Sequence, residues 1–230
     1  MTIILGVVAT LLTFILLASW LQRRKAVHPV VTEARERTGK APRAVPPALQ
    51  PAYVEGFLVP EQLSYHPGHS WVFRERRNLV RVGVDEFAAA LAGPIQKIEL
   101  PKPGRWIRQG QKAWSFHRDG EKTEMVSPIE GEVVEVNSDL AGDPTLLRKD
   151  PYGRGWLMTV FVPDEESTAR NLLPGSIVGA WMRDAVERLY ARQPQLAGAV
   201  AADGGRPADD VFGALPDASW KALTQEFFLI

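Results

Sequence analysis

Nineteen consecutive uncharged residues, Ile3 to Leu21, open the chain and constrain it more than any other feature. At about 1.5 Å per helical residue the run spans roughly 29 Å, the thickness of a bilayer's hydrocarbon core. A cleaved signal peptide is the rival reading. It requires positive charge ahead of the apolar stretch and small residues at its end. Here only the amino terminus precedes the run, and the run closes on Ala18-Ser19-Trp20-Leu21, where Trp20 suits a headgroup-level aromatic. Arg23, Arg24 and Lys25 follow at once, placed for contact with anionic headgroups. The expectation is a single-pass anchor over residues 1–22. By the positive-inside rule its N-terminus lies outside and the body of the chain in the cytoplasm.

Behind the anchor the charge is uneven. Residues 22–50 hold seven Lys/Arg against Glu33 and Glu36, a local +5, in a chain whose 27 basic and 27 acidic residues cancel. The remainder therefore sums to −5, and without a basic excess nucleic acid is not expected as a partner. Pro42, Pro46, Pro47 and Pro51 exclude a regular helix, so residues 23–52 read as a basic, semi-extended tether. The chain has no cysteine, which removes disulfides, thiolate metal sites and thiol nucleophiles.

Residues 53–166 carry short strand signals separated by turns. Trp71-Val72-Phe73 and Leu79 to Val84 flank a charged turn, Arg74 to Asn78, in hairpin fashion. Asp85 opens a short helix through Leu91, and Ile95 to Leu100 follows as a strand. Ala113 to His117 and Lys122 to Val126 bracket Asp119-Gly120, a type I′ hairpin signal. Gly131 to Asn137 and Gly155 to Val162 complete a pattern of many short strands, as in a small sandwich or barrel. Residues 167–230 turn helical. Val178, Trp181, Met182, Ala185, Val186 and Leu189 recur on one helix face, residues 197–210 read as a loose loop, and Asp217 or Ser219 caps a last helix through Trp220, Leu223 and Phe227. The terminal Phe227-Phe228-Leu229-Ile230 is apolar enough to dock, onto this body or onto a partner.

Chemistry-bearing constellations are few. His66, His69 and His117 lack a carboxylate at metal-site spacing, and Tyr65 to His69 reads as a turn, so no metal site is assigned. Ser127 precedes Pro128 without a His/Asp arrangement. Glu165-Glu166 and Asp209-Asp210 read as solvated surface, and no glycine-rich segment joins a strand to a helix as phosphate binding requires. No catalytic residue is assigned. Trp71, Trp114 and Trp156 fall on strand positions and are expected in the core, Trp106 in a turn region and exposed, and Trp181 and Trp220 on the helices as anchors to the β body or as a surface for a partner.

Five stretches in order resemble the H protein of the glycine cleavage system, a member of the biotinyl/lipoyl domain class. They are His69-Ser70-Trp71-Val72, Val82 to Ala88, Ile98 to Pro101, Ser127 to Asn137 and Asp150 to Leu157. The resemblance covers roughly Tyr65 to Asp164. It implies a mainly β barrel-sandwich hybrid, here with an N-terminal transmembrane helix and appended C-terminal helices.

It also implies a lysine at a hairpin tip carrying lipoate as a swinging arm. Counting ten residues on from Gly110 and seven back from Ser127 reaches Gly120 both times, so glycine stands where the family's lysine is expected. Lys122, two residues down the returning strand and opposite His117, is the nearest amine, expected to pair with Glu121 or Glu124. The leading expectation is therefore a membrane-anchored H-protein-like module without lipoate, acting as an interaction or assembly subunit with other protein subunits. Its apolar C-terminus would dock onto a larger partner. The alternative is a carrier lipoylated at Lys122 that serves a membrane-associated oxidoreductase. A third possibility is an enzyme with a cleft between the β body and the helices.

Overall fold

In the computed structural model the described residues are 52–192 and 219–229. The expected transmembrane helix, nearly all of the tether and the loose loop lie outside them. Among the described residues no helix is long and apolar enough to cross a membrane.

The body is built on antiparallel strands. Strands β1 (Tyr53–Val54) and β2 (Phe57–Leu58) form a small ribbon. A larger sheet contains β3 (Ser64–His66), β4 (Ser70–Arg76), β5 (Leu79–Val84), β7 (Trp106–Ile107), β10 (Gly131–Val136) and β11 (Met158–Phe161), in the order β3-β4-β5-β11-β10-β7. A second sheet pairs β6 (Lys97–Glu99), β8 (Lys112–Arg118) and β9 (Glu121–Val126) in the order β6-β8-β9. The fold is mainly β, with helices toward the C-terminus, as the resemblance implies.

The charged turn expected over Arg74 to Asn78 is shorter than its composition implied. Arg74, Glu75 and Arg76 continue β4, with a register irregularity between Arg74 and Arg76, and Asn78 supplies the left-handed turn residue at φ 59°. Charge does not break a strand whose alternate residues face water. Gly83 in β5 is required by close approach, because a Cβ there would fall inside the Trp71 indole.

Helix α1 (Glu86–Ala92) starts at Asp85, whose carboxylate accepts from the Ala88 N–H at 2.8 Å. The short helices α2 (Asp139–Gly142), α3 (Leu146–Lys149) and α4 (Glu165–Ala169) flank the last strands. Helix α5 (Gly175–Arg192) buries Val178, Met182, Ala185, Val186 and Leu189, the stripe its sequence periodicity marks. Helix α6 (Trp220–Phe227) is capped by Ser219, whose Oγ accepts from Ala222 N–H at 3.3 Å.

Both long helices share the core of the β body. Trp220 donates its indole N–H to Ala92 O at 3.1 Å, Phe227 packs edge-on against Phe87 with centroids 5.2 Å apart, and Phe228 meets Phe116 at 6.3 Å. The apolar C-terminus is therefore seated on its own body through Phe227 and Phe228, which corrects the expectation that a larger partner receives it. Burying each such aromatic is worth about 2 kcal/mol, and that gain is available here without a second chain.

Candidate functional site

The hairpin of β8 and β9 turns through Asp119 and Gly120 at φ 51° and 83°, the paired left-handed residues of a type I′ turn. A two-residue loop fixes the register, so Lys122 lies opposite His117, as its spacing predicts. Gln96 clamps the tip. Its side-chain amide donates to Asp119 Oδ1 and accepts from Asp119 N–H, both at 2.7 Å. Below the tip, buried Arg118 donates to Ala92 O at 3.3 Å, adding a cation to the C-terminal end of α1. A Cβ built on Gly120 would meet nothing within 4 Å, so the tip projects into open space and only its φ opposes a side chain.

Down the outer face of this sheet Glu99 is the hub. Lys97 Nζ donates to it at 2.7 Å and Ser115 Oγ at 3.1 Å, while His117 Nε2 and Lys122 Nζ approach its Oε2 at 3.2 and 3.5 Å. The ammonium of Lys97, then His117 and Ser115, hold its carboxyl down at about 2. Lys122, 47% exposed, also lies 3.8 Å from Glu124, whose carboxyl is lowered chiefly by Lys112 at 2.7 Å. Glu124 was expected as a partner of Lys122, but Glu99 was not. Together Glu99, Arg105, Lys112, Ser115, Lys122 and Glu124 line an open groove of about 300 Å³.

This arrangement holds charge without activating a nucleophile. Ser115 donates to Glu99, a carboxylate held at about 2 and therefore a weak base for its proton. Ser127 is spent within its own turn, donating to Ile129 O at 2.7 Å.

The histidines do not converge. His66 accepts from Gly68 N–H at 3.0 Å, and burial lowers its pKa. His69 donates from Nδ1 to Asp85 Oδ2 at 2.8 Å, with its ring stacked against Phe87 at 4.4 Å and tilted toward Trp181 at 4.6 Å. Among the described residues no group of three or more His, Asp or Glu is placed to hold a metal ion. Of the tryptophans, Trp71, Trp114, Trp156 and Trp220 are buried and Trp106 is exposed.

The family model for the glycine cleavage H-protein matches residues 63–183, which take in both sheets and the first half of α5. The chain belongs to the glycine cleavage H-protein family. It is 36% identical over 106 residues to the glycine cleavage system H protein of Mycobacterium leprae (strain Br4923), covering 46% of this chain and 80% of that one. It is 37% identical over 107 residues to that of Thermobifida fusca (strain YX), covering 46% and 84%. A crystal structure of a glycine cleavage system H protein from Mycobacterium marinum aligns at 28% identity and a TM-score of 0.43, covering 46% of this chain and 87% of that one.

H-protein domains carry lipoate on an exposed lysine and are not themselves catalysts, so the fit of that group rests on the amines at the tip. Asp119 and Gly120 offer none. Lys122 offers one on a strand flank, drawn toward Glu99 and Glu124. Neither Asp119 nor Gly120 has an amine that could hold the group.

Proposed function

We propose that this chain is an H-protein-like module that works without lipoate, held at a membrane by its N-terminal run and serving as an interaction or assembly subunit. The observation that carries this reading is the tip itself, a tight Asp119-Gly120 turn with no amine, clamped by Gln96 where the family's arm is expected. Without the arm the domain has no redox chemistry of its own, because in this class the cofactor does the reacting. What remains is a rigid β body, closed by α5 and α6, that presents a hairpin and a charged face. The run Ile3 to Leu21 and the cations Arg23, Arg24 and Lys25 support membrane attachment with the body in the cytoplasm.

The test is extraction of the native protein in mild detergent, followed by size analysis and mass spectrometry. A sedimenting complex with an unmodified chain is the expected result. A stable lone monomer would remove the assembly role, and a lipoyl group on Lys122 would make the chain a carrier instead.

A further inference from the structure

The loop leading into β7 presents an exposed tryptophan among cations. We propose that Lys102, Arg105, Trp106 and Arg108 form a second membrane contact, one that lays the domain against an anionic lipid surface. The proposal rests on the anchor reading above, which keeps the loop near a bilayer.

The loop is built to present the indole. Ile107 is buried and pairs with Gly131, and strand alternation then turns Trp106 outward, 41% exposed. Strand β7 ends the larger sheet, so among the described residues no strand pairs with its outer edge. The turn before it is fixed by backbone bonds, with Arg105 N–H donating to Lys102 O at 3.1 Å, Gly104 N–H to Val133 O at 2.7 Å and Val133 N–H to Arg105 O at 2.9 Å. Presenting the residue therefore costs little further ordering.

The chemistry matches a headgroup layer. An indole is amphipathic and partitions to the interface, and here its N–H is held by Glu130 at 3.2 Å while the ring stays accessible. Lys102, Arg105 and Arg108 are exposed and form no ion pair among the described residues, whereas Lys97 and Lys112 on the adjoining sheet are each tied to a carboxylate. Against Glu130 the cluster keeps a surplus of two positive charges, which anionic lipid would neutralise. A protein partner is the competing occupant. Three cations around one aromatic, with a surplus of two charges, favour the lipid, where each cation contributes through the surface potential without needing a matched carboxylate.

The chain has no cysteine, so Pro103→Cys gives one site for an environment-sensitive fluorophore in the full-length protein. The labelled protein is reconstituted into phosphatidylcholine vesicles with and without phosphatidylserine. The expected result is a blue-shifted probe, quenched by bilayer-borne quenchers, on the serine-containing vesicles only and reversed by high salt. Arg105→Gln with Arg108→Gln should weaken the contact about 25-fold, taking about five-fold per cation, and Trp106→Ala should make the probe shallower. A probe that reports water on both vesicle types, or the same depth on both, overturns the proposal. So does a shift that appears only when solubilised membrane proteins are added, which would assign the loop to a protein. Alkaline carbonate washing tests the anchor separately. If carbonate strips the chain, the anchor reading fails, and the same probe then reads the loop through salt-reversible binding to the same vesicles.

Discussion

Among the described residues two carboxylates meet a histidine, and they do so in opposite surroundings. Asp85 and His69 are 0% and 1% exposed, 2.8 Å apart and enclosed by Phe87, Trp181 and Phe227. Glu99 meets His117 on an open groove, sharing its oxygens with Lys97, Ser115 and Lys122. In the interior the Asp85 carboxylate is committed to His69 Nδ1 and to the cap of α1, and such contacts fix architecture because an unpaired group in a low dielectric is costly. On the surface several contacts together fix a charge state while adding little to stability, because water competes for each of them. The buried pair thus belongs to the closure of the domain by α5 and α6. The exposed cluster sets the face that a partner meets.

Four changes sharpen that contrast. Trp220→Ala, which removes a buried ring and the donor to Ala92 O, should cost about 4 kcal/mol in urea unfolding and release α6 first in hydrogen exchange. If stability is unchanged, the C-terminal helix is not part of the core. Asp85→Ala loses both a helix cap and the His69 bond and should cost about 3 kcal/mol, measured the same way. Gly120→Lys forces a left-handed φ on a side chain that otherwise meets nothing, so about 1 kcal/mol is expected and no change of fold.

The smallest effect is Glu99→Gln, which should lower the unfolding midpoint slightly at neutral pH, a difference that vanishes as pH falls toward 2. Its signature lies in acid. The Glu99 carboxyl, held at about 2 against an ordinary 4.5, contributes stability that is complete above the ordinary value and lost as pH falls toward 2. Carboxyl titration by NMR should show that low midpoint, and Lys97→Ala should raise it. A midpoint near 4.5 in the unaltered protein would dissolve the hub.

How much of this was legible in the sequence depends on how far each contact reaches along the chain. The Asp119-Gly120 turn and the facing of His117 by Lys122 follow from a two-residue loop, which dictates register locally. The stripe of α5 and the Ser219 cap follow from local spacing in the same way. Glu99 as hub was not legible, because β6 joins β8 across an intervening loop and strand, and no local signal sets that register. The Gln96 clamp and the shared acceptor at Ala92 O are hidden for the same reason. Whether Phe227 and Phe228 would cover this body or another was open in the sequence, since apolarity states that a residue will be buried and not against what. Glu165, read as solvated surface, instead accepts from Asn78 N–H and pairs with Arg74 at 2.8 Å, another distant contact.

Whether the domain works without a lipoyl arm is decided by a lipoylation assay. The purified chain and its Gly120→Lys variant are treated side by side with a lipoylating enzyme, lipoate and ATP, then mapped by peptide mass spectrometry. The expected result is no dithiolane on the unaltered chain and modification at position 120 of the variant, which restores an amine to an otherwise intact tip. A lipoyl group on Lys122 of the unaltered chain would contradict the proposal that it works without lipoate.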